Sequence, residues 1–564
     1  MSLATLAQTT PPLPVNTPEF AWAAISPELV LFGVGILVLL LDTAGQQRLQ
    51  ASFAAMGVLV AGAVVAAIQT GNTALSAMVG LGAVAQFALT AIWRDRPRML
   101  AAILAALGFA GGFGVSAWQW ATYAGGLVAT VGDTQVPLVG TASLIADMVA
   151  SDGVALFTRF TVCSAGFITV LLGFSYAETR RMHRGEYYPL LLFAATGMTL
   201  LAASADLIMV FIAIEVLSLS LYILTGFAKR DLNSQEGAFK YFLLGAFSSA
   251  LLLYGIAIAY GVAGTTNIAE VGRAFSDLEA EPGLVLTSMA LMLVGFAFKT
   301  SVVPFHMWTP DVYQGAPTPV TGFMAAATKA AAFAAFLRVF VGALAPLQWS
   351  WTAALWVLAV ATMLAGAVLA VVQDDVKRML GYSAIAHAGY VLIGLIAATR
   401  EGVSSVLFYL LVYAFMSLGS FGVLALFERR SRKAMGLADL RGIGRRYPLA
   451  AGMMALFLLS LAGIPGTAGF MAKFAVFRAG IEAGQWALVV VAVVSSVIAA
   501  FFYIRVIVAM FFDPEPDDAE TAPPVVTTPG LAVGLAATAA AVVVVGIVPN
   551  VLIDLAAQAA SFAG

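Results

Sequence analysis

The chain has 564 residues, 61% of them hydrophobic and only 10% charged, with a net charge of −2 and a mean hydropathy of +0.95. Soluble domains carry about 25% charged residues, so this composition describes a polytopic membrane protein and gives no general case for binding nucleic acid. A single cysteine, Cys163, excludes a disulfide framework and a cysteine-ligated iron–sulfur or zinc centre; His183, His306 and His387 lack ligand spacing, and no G-x-x-x-x-G-K-[ST] phosphate loop is present.

Residues 1–25 read as a short polar lead without the basic start of a signal peptide. Apolar runs of spanning length, about 17–25 residues, then follow. They lie near 26–43, 52–69, 74–93, 99–124, 153–177, 187–205, 206–228, 237–262, 284–313, 317–342, 352–373, 379–398, 403–427, 448–482, 485–512 and 529–552. The prediction is an all-α polytopic fold of about 16 transmembrane helices. Two of the runs, 284–313 and 448–482, are long and interrupted by proline, which removes a backbone hydrogen bond and breaks or kinks a helix. The acidic stretch DPEPDDAE lies in an inner loop at 513–528, and residues 529–564 hold the last span and the C-terminus.

Basic residues provide an independent test of this count. With the N-terminus outside, alternate loops on the inner side collect 18 of the 28 lysines and arginines, seven of them in 429–446. The outer loops and helix ends hold only Arg273, Arg400 and Arg478. Such asymmetry follows the positive-inside rule, and one miscounted helix would scramble it. Seven cations remain inside the spans: Arg159, Lys240, Lys299, Lys329, Arg338, Lys473 and Arg505. Among the acids, Glu215 alone falls near the middle of a span.

The residue types matter. A lysine near mid-bilayer costs about 2.5–3.5 kcal/mol on insertion scales, so it marks a functional site by default. A lysine taken out of water can give up its proton, whereas an arginine stays charged. Lysines beside a carboxylate therefore suit a proton relay, and Arg159, Arg338 and Arg505 suit structural pairing or snorkelling. Lys299 precedes the break at Pro304 and Lys473 follows the break GIPGTAG at 463–469, the arrangement expected of broken helices in transporters. Lys329 sits near the middle of the next apolar run, while Lys240 lies near an inner edge, where snorkelling competes with a relay role. His306 and His387 suit either relay or core positions. Asp311 suits a brace for the loop before Gly315, and tyrosines near span ends suit interface anchors.

Residues 299–323, KTSVVPFHMWTPDVYQGAPTPVTGF, closely resemble the antiporter-like membrane subunits of proton-pumping NADH–quinone oxidoreductase (complex I), subunit N above all. The resemblance extends through AIEVLSLSLY (213–222), EGAFKYFLLGAFSSALLLYG (236–255), VKRMLGYSAIAHAGY (376–390) and LSLAGIPGTAGFMAKF (459–474). It implies a proton-translocation core over 147–512, preceded at 26–124 by helices that include two apparent extra spans, near 74–93 and 99–124. It also implies a relay of Glu215, Lys240, Lys299, Lys329 and Lys473, with Glu215 paired to Lys299. The subunit itself would bind no cofactor; NADH, flavin, iron–sulfur clusters and quinone would belong to partner subunits. The expected setting is the bacterial plasma membrane, with both termini outside, in an obligate hetero-oligomer with other membrane-arm subunits. Two alternatives remain open: a monovalent cation/proton antiporter and a non-pumping scaffold subunit.

Overall fold

Aspartate and threonine side chains open the long helices, supplying oxygens to amide groups that a first turn leaves without partners. Asp152, Asp206, Asp231, Asp375 and Thr399 each accept a bond from a backbone N–H two or three residues on. The computed structural model describes residues 24–43, 97–124, 128–131, 134–137, 140–143, 147–180, 182, 185–277, 282–428, 436–514 and 527–560. The helices are α1 (Ser26–Thr43), α2 (Pro97–Ala124), α3 (Gly153–Thr179), α4 (Tyr187–Ala202), α5 (Leu207–Thr225), α6 (Leu232–Ala263), α7 (Ile268–Asp277), α8 (Pro282–Thr300) and α9 (Trp308–Gly315). They continue with α10 (Thr318–Ala343), α11 (Gln348–Val371), α12 (Val376–Ala397), α13 (Arg400–Phe427), α14 (Pro448–Ala462), α15 (Ala468–Glu482), α16 (Trp486–Phe511), α17 (Pro529–Ile547) and α18 (Asn550–Ala559).

Among the described residues, 11 helices are long and apolar enough to span a membrane, and α1, α4 and α14 are shorter apolar ones. The spans expected near 52–69 and 74–93 lie outside the described residues, so the count of 16 is not reproduced as such. Helix α2 covers 99–124, assigned above to the extra pair, and packs against α1 and α3. The all-α expectation is met apart from two small antiparallel pairings between α2 and α3: β1 (Val128–Val131) with β2 (Thr134–Pro137), and β3 (Gly140–Ser143) with β4 (Ala150–Ser151).

The two ends of the bundle sort the loops as the basic residues do. At one end, Val149 bridges Ser204 and Asp206 bridges Asn267. At the other, Asp375 bridges Gly436, Arg180 pairs with Glu428, and Arg441 pairs with Asp513. Helices α10, α12 and α13 form the buried centre, whereas α6, α16 and α17 turn apolar side chains such as Phe247, Val497 and Val544 outward. A helix with such a face suits lipid or a neighbouring membrane subunit.

Candidate functional site

Both proline-bearing spans break where expected. In the first, α8 ends at Thr300, Ser301 takes φ +66°, and the chain resumes as α9 at Trp308. Freed backbone groups find partners inside the protein, as a membrane interior requires. The amide of Val303 donates to Thr362 at 3.0 Å, and the Trp308 indole donates to the Phe298 carbonyl at 2.9 Å. In the second, α14 ends at Gly463, whose φ of +88° suits glycine, and α15 begins after Thr467. Gly469 is required by contact, since a Cβ there would stand 1.8 Å from the Ser460 carbonyl oxygen.

Each break carries a buried lysine. Lys299, 3% exposed, donates to Ser218 at 2.6 Å and stands over the faces of Tyr241 and Tyr222 at 5.5 and 6.0 Å. Beside it lies a small cavity of about 10 Å³, room for roughly one water, lined by Tyr222, Ser248, Ser249 and Lys299 among others. Lys473, 5% exposed, donates to the Ala462 carbonyl at 2.9 Å and to Ser496 at 2.7 Å. It thereby caps the C-terminal carbonyls of α14, where the helix dipole favours a cation.

Lys329 follows a π-helical turn, Met324–Thr328, in the middle of α10. Such turns are frequent at functional sites. Its head group donates to the carbonyl of Ala384 on α12 and faces the Tyr413 ring at 5.9 Å. His387, 2% exposed, lies between Lys329 and Lys473 in a shell of tyrosines. Its Nδ1 and Nε2 are 2.6 and 3.2 Å from the hydroxyls of Tyr409 and Tyr503. Its ring is 5.0 Å from that of Tyr413 and 5.5 Å from that of Tyr390, and Lys473 stands 5.0 Å over Tyr390. Lys329, Tyr413, His387, Tyr390 and Lys473 thus form one continuous row through α10, α13, α12 and α15.

The remaining expected residues fall elsewhere. Glu215 is half-buried on α5, one turn before Ser218, with one carboxylate oxygen buried and without a hydrogen bond. No direct Glu215–Lys299 ion pair forms; Ser218 takes the lysine instead. Lys240, 39% exposed, pairs with Glu236 and Asp311 at one end of the bundle, away from the buried row. Asp311 also binds Arg378, so it braces α6, α9 and α12 as the loop before Gly315 requires. His306 is half-buried in the first break and joins none of these groups.

The arginines behave differently from the lysines. Arg159 forms a bidentate pair with Glu28, at 2.8 and 3.1 Å, and Arg338 pairs with Asp152. Arg505 pairs with Asp374 at 2.7 Å. Among the described residues no carboxylate lies within 4.0 Å of Lys299, Lys329 or Lys473. Of the tyrosines near span ends, Tyr187, Tyr188 and Tyr241 are buried and Tyr260 is exposed, while Tyr390, Tyr409 and Tyr503, inside their spans, are buried as well. Spacing was their available signal, since Tyr409 and Tyr413 share a face at i, i+4 and Tyr390 follows His387 by three.

Uncompensated lysines on broken helices, inside a bundle of long apolar helices, define a multi-pass protein built like an ion or proton transporter. The chain belongs to the family described as NADH:quinone oxidoreductase/Mrp antiporter, transmembrane, which it matches over residues 204–499. It is 50% identical over 380 residues to NADH-quinone oxidoreductase subunit N of Rhodococcus opacus (strain B4), covering 67% of this chain and 70% of that one. It is 45% identical over 495 residues to subunit N of Beutenbergia cavernae, covering 81% and 91%. Among solved structures, a chain of respiratory complex I from Thermus thermophilus with bound aureothin matches with TM-score 0.67 and 33% identity, over 84% of this chain and 98% of that one. A chain of the Mrp complex from Dietzia shares the fold, with TM-score 0.69 at 21% identity over 95% and 97% of the two chains.

Proposed function

We propose that this chain is an N-type membrane subunit of a proton-translocating NADH–quinone oxidoreductase and that its buried lysines carry the proton. The carrying observation is the contrast between cations: each span-embedded arginine is neutralised by a carboxylate, and the three deepest lysines are not. An ammonium held only by hydroxyls, carbonyls and ring faces can exchange its proton without breaking an ion pair. Tyrosine hydroxyls and the His387 imidazole can both donate and accept, so they form a hydrogen-bonding shell between Lys329 and Lys473. Ser218, the partner of Lys299, lies one turn from Glu215 on α5, and one Glu215 oxygen is buried without a hydrogen bond, which supports Glu215 as the carboxylate that modulates the lysine.

The chain sits in the membrane beside other membrane-arm subunits, in the bacterial plasma membrane with its N- and C-termini outside. Redox chemistry belongs to partner subunits, which hold NADH, flavin, iron–sulfur clusters and quinone. Lys240, paired with two carboxylates, lies outside this set, and its place in the relay rests on the family resemblance alone. Lys473→Met in inverted membrane vesicles tests the reading. The expected result is loss of NADH-driven dye quenching with NADH oxidation by an artificial acceptor retained. Normal quenching would favour a scaffold role, in which the lysines are replaceable.

A further inference from the structure

The inner end of α10 is held by charges that the lysine row does not use. Glu428, the residue after α13, accepts hydrogen bonds from Arg180 at the end of α3 and from Thr318 at the start of α10. Lys377, at the start of α12 and only 4% exposed, donates to the Ala316 carbonyl at 2.7 Å. The Arg180 guanidinium also lies 5.7 Å over the ring of Tyr176. Pro317 and Pro319 flank Thr318, so this corner lacks two amide donors and depends on side chains to fix it. Burial pushes the Glu428 carboxyl up, but the charges of Lys377 and Arg180 and the hydroxyls of Thr318 and Tyr176 hold it below the ordinary range.

Three of the helices that meet here carry the row itself: Lys329 on α10, His387 and Tyr390 on α12, and Tyr413 on α13. Resting on the relay reading above, we propose that Glu428 is a positioning residue, whose carboxylate clamps the start of α10 and so sets where Lys329 stands against Ala384 and Tyr413. Thr318 lies eleven residues before Lys329, about 16 Å along a helix. The π turn Met324–Thr328 falls between them, immediately before the lysine. A π turn holds one extra residue, so its gain or loss rotates everything beyond it. A clamp at the start of α10 therefore acts on the lysine's direction without touching it.

The test uses Glu428→Gln, Glu428→Asp and Thr318→Val in the complete membrane complex, with Lys329→Met in parallel. Glu428→Gln should assemble and lower proton pumping on the order of tenfold, the effect of losing a charge-assisted hydrogen bond. Thr318→Val should lower it less, and Glu428→Asp should restore much of the loss. In Arg180→Gln, with one cation gone, pumping should fall selectively at acid pH, as the less well held carboxylate protonates. That acid loss should vanish in the Arg180→Gln/Glu428→Gln double variant, whereas a purely structural bridge would lower activity equally at every pH. Normal pumping in Glu428→Gln and Thr318→Val, with loss in Lys329→Met, overturns the positioning role and leaves the relay standing. Retained pumping in Lys329→Met overturns the relay. Should Glu428→Gln fail to assemble, Thr318→Val decides, and normal pumping there overturns the clamp.

Discussion

Replacing Lys329 by methionine separates function from fold. The two side chains are similar in length, and α10 is buried throughout this region, so the packing is largely kept. The charged lysine costs about 2.5–3.5 kcal/mol to place in the membrane interior. Its bond to the Ala384 carbonyl returns about 1.5–3 kcal/mol, the range for a hydrogen bond to a charged group. That carbonyl lies inside α12, whose helical ladder already uses it, so losing the lysine strands no acceptor. The balance leaves Lys329 between neutral and about 2 kcal/mol unfavourable, and methionine removes the cost. Lys329→Met should therefore assemble as well as the parent and resist thermal aggregation at least equally. Proton pumping should nevertheless fall on the order of 10²-fold, the loss expected when a proton-transfer group is deleted. Lys329→Arg should also fail, because arginine keeps its proton and overfills the site. Native gels and thermal aggregation report assembly, and dye quenching in inverted vesicles reports pumping. A methionine variant that pumps normally refutes the relay role; one that cannot assemble makes Lys329 a structural cation.

Tyr409→Phe should lower pumping several-fold, because it strips the partner from His387 Nδ1, whereas Tyr413→Phe keeps the ring facing Lys329 and should be mild; equal effects would count against a role for the Tyr409–His387 bond. Glu28→Ala should destabilise the subunit by about 3–5 kcal/mol by stranding the fully buried Arg159, measured as lost assembly or a lower aggregation temperature. Asp311→Asn should be less stable than the parent at neutral pH. Stability equal to the parent's would contradict the brace that its pairs with Lys240 and Arg378 form. In a Cys163→Ser background, cysteines in 429–446 and in 263–283 should label from opposite sides of the membrane with an impermeant reagent, and same-side labelling would end the assigned topology.

The features legible in the sequence are those that violate local rules. Lysines inside apolar runs and prolines inside helices stand out because each is costly where it sits, and Lys299, Lys329 and Lys473 are found buried where that cost predicts. Pairing was much less legible. Arg180 reaches Glu428 across 248 residues, and Arg338 reaches Asp152 across 186. Lys377 reads as one more inner-loop cation, yet it is buried against Ala316. The tyrosines escaped because phenols are cheap in an apolar run and equally common at membrane interfaces, so position along a helix does not separate the two uses. In this structure Lys299 bonds Ser218, three residues after Glu215 on the same helix, rather than Glu215 directly, a choice of partner that the sequence did not reveal.

That substitution of partners bears on how such a site can turn over. If Glu215 and Lys299 were locked together, separating them would leave two uncompensated charges in the membrane, a penalty of about 3–5 kcal/mol for breaking a buried pair. With Ser218 holding the lysine instead, the change of state becomes an exchange between a neutral hydroxyl and a carboxylate one turn away. Glu215 already keeps one buried oxygen without a hydrogen bond, so it carries part of that cost in advance. A direct consequence follows for Ser218→Ala: Lys299 loses its hydroxyl partner and should turn to Glu215, locking the pair. Pumping should fall even though the alanine variant has the stronger ion pair, and Ser218→Thr, which restores a hydroxyl, should recover it. Unimpaired pumping in Ser218→Ala would mean that the serine is a bystander and that the lysine finds its proton partners elsewhere.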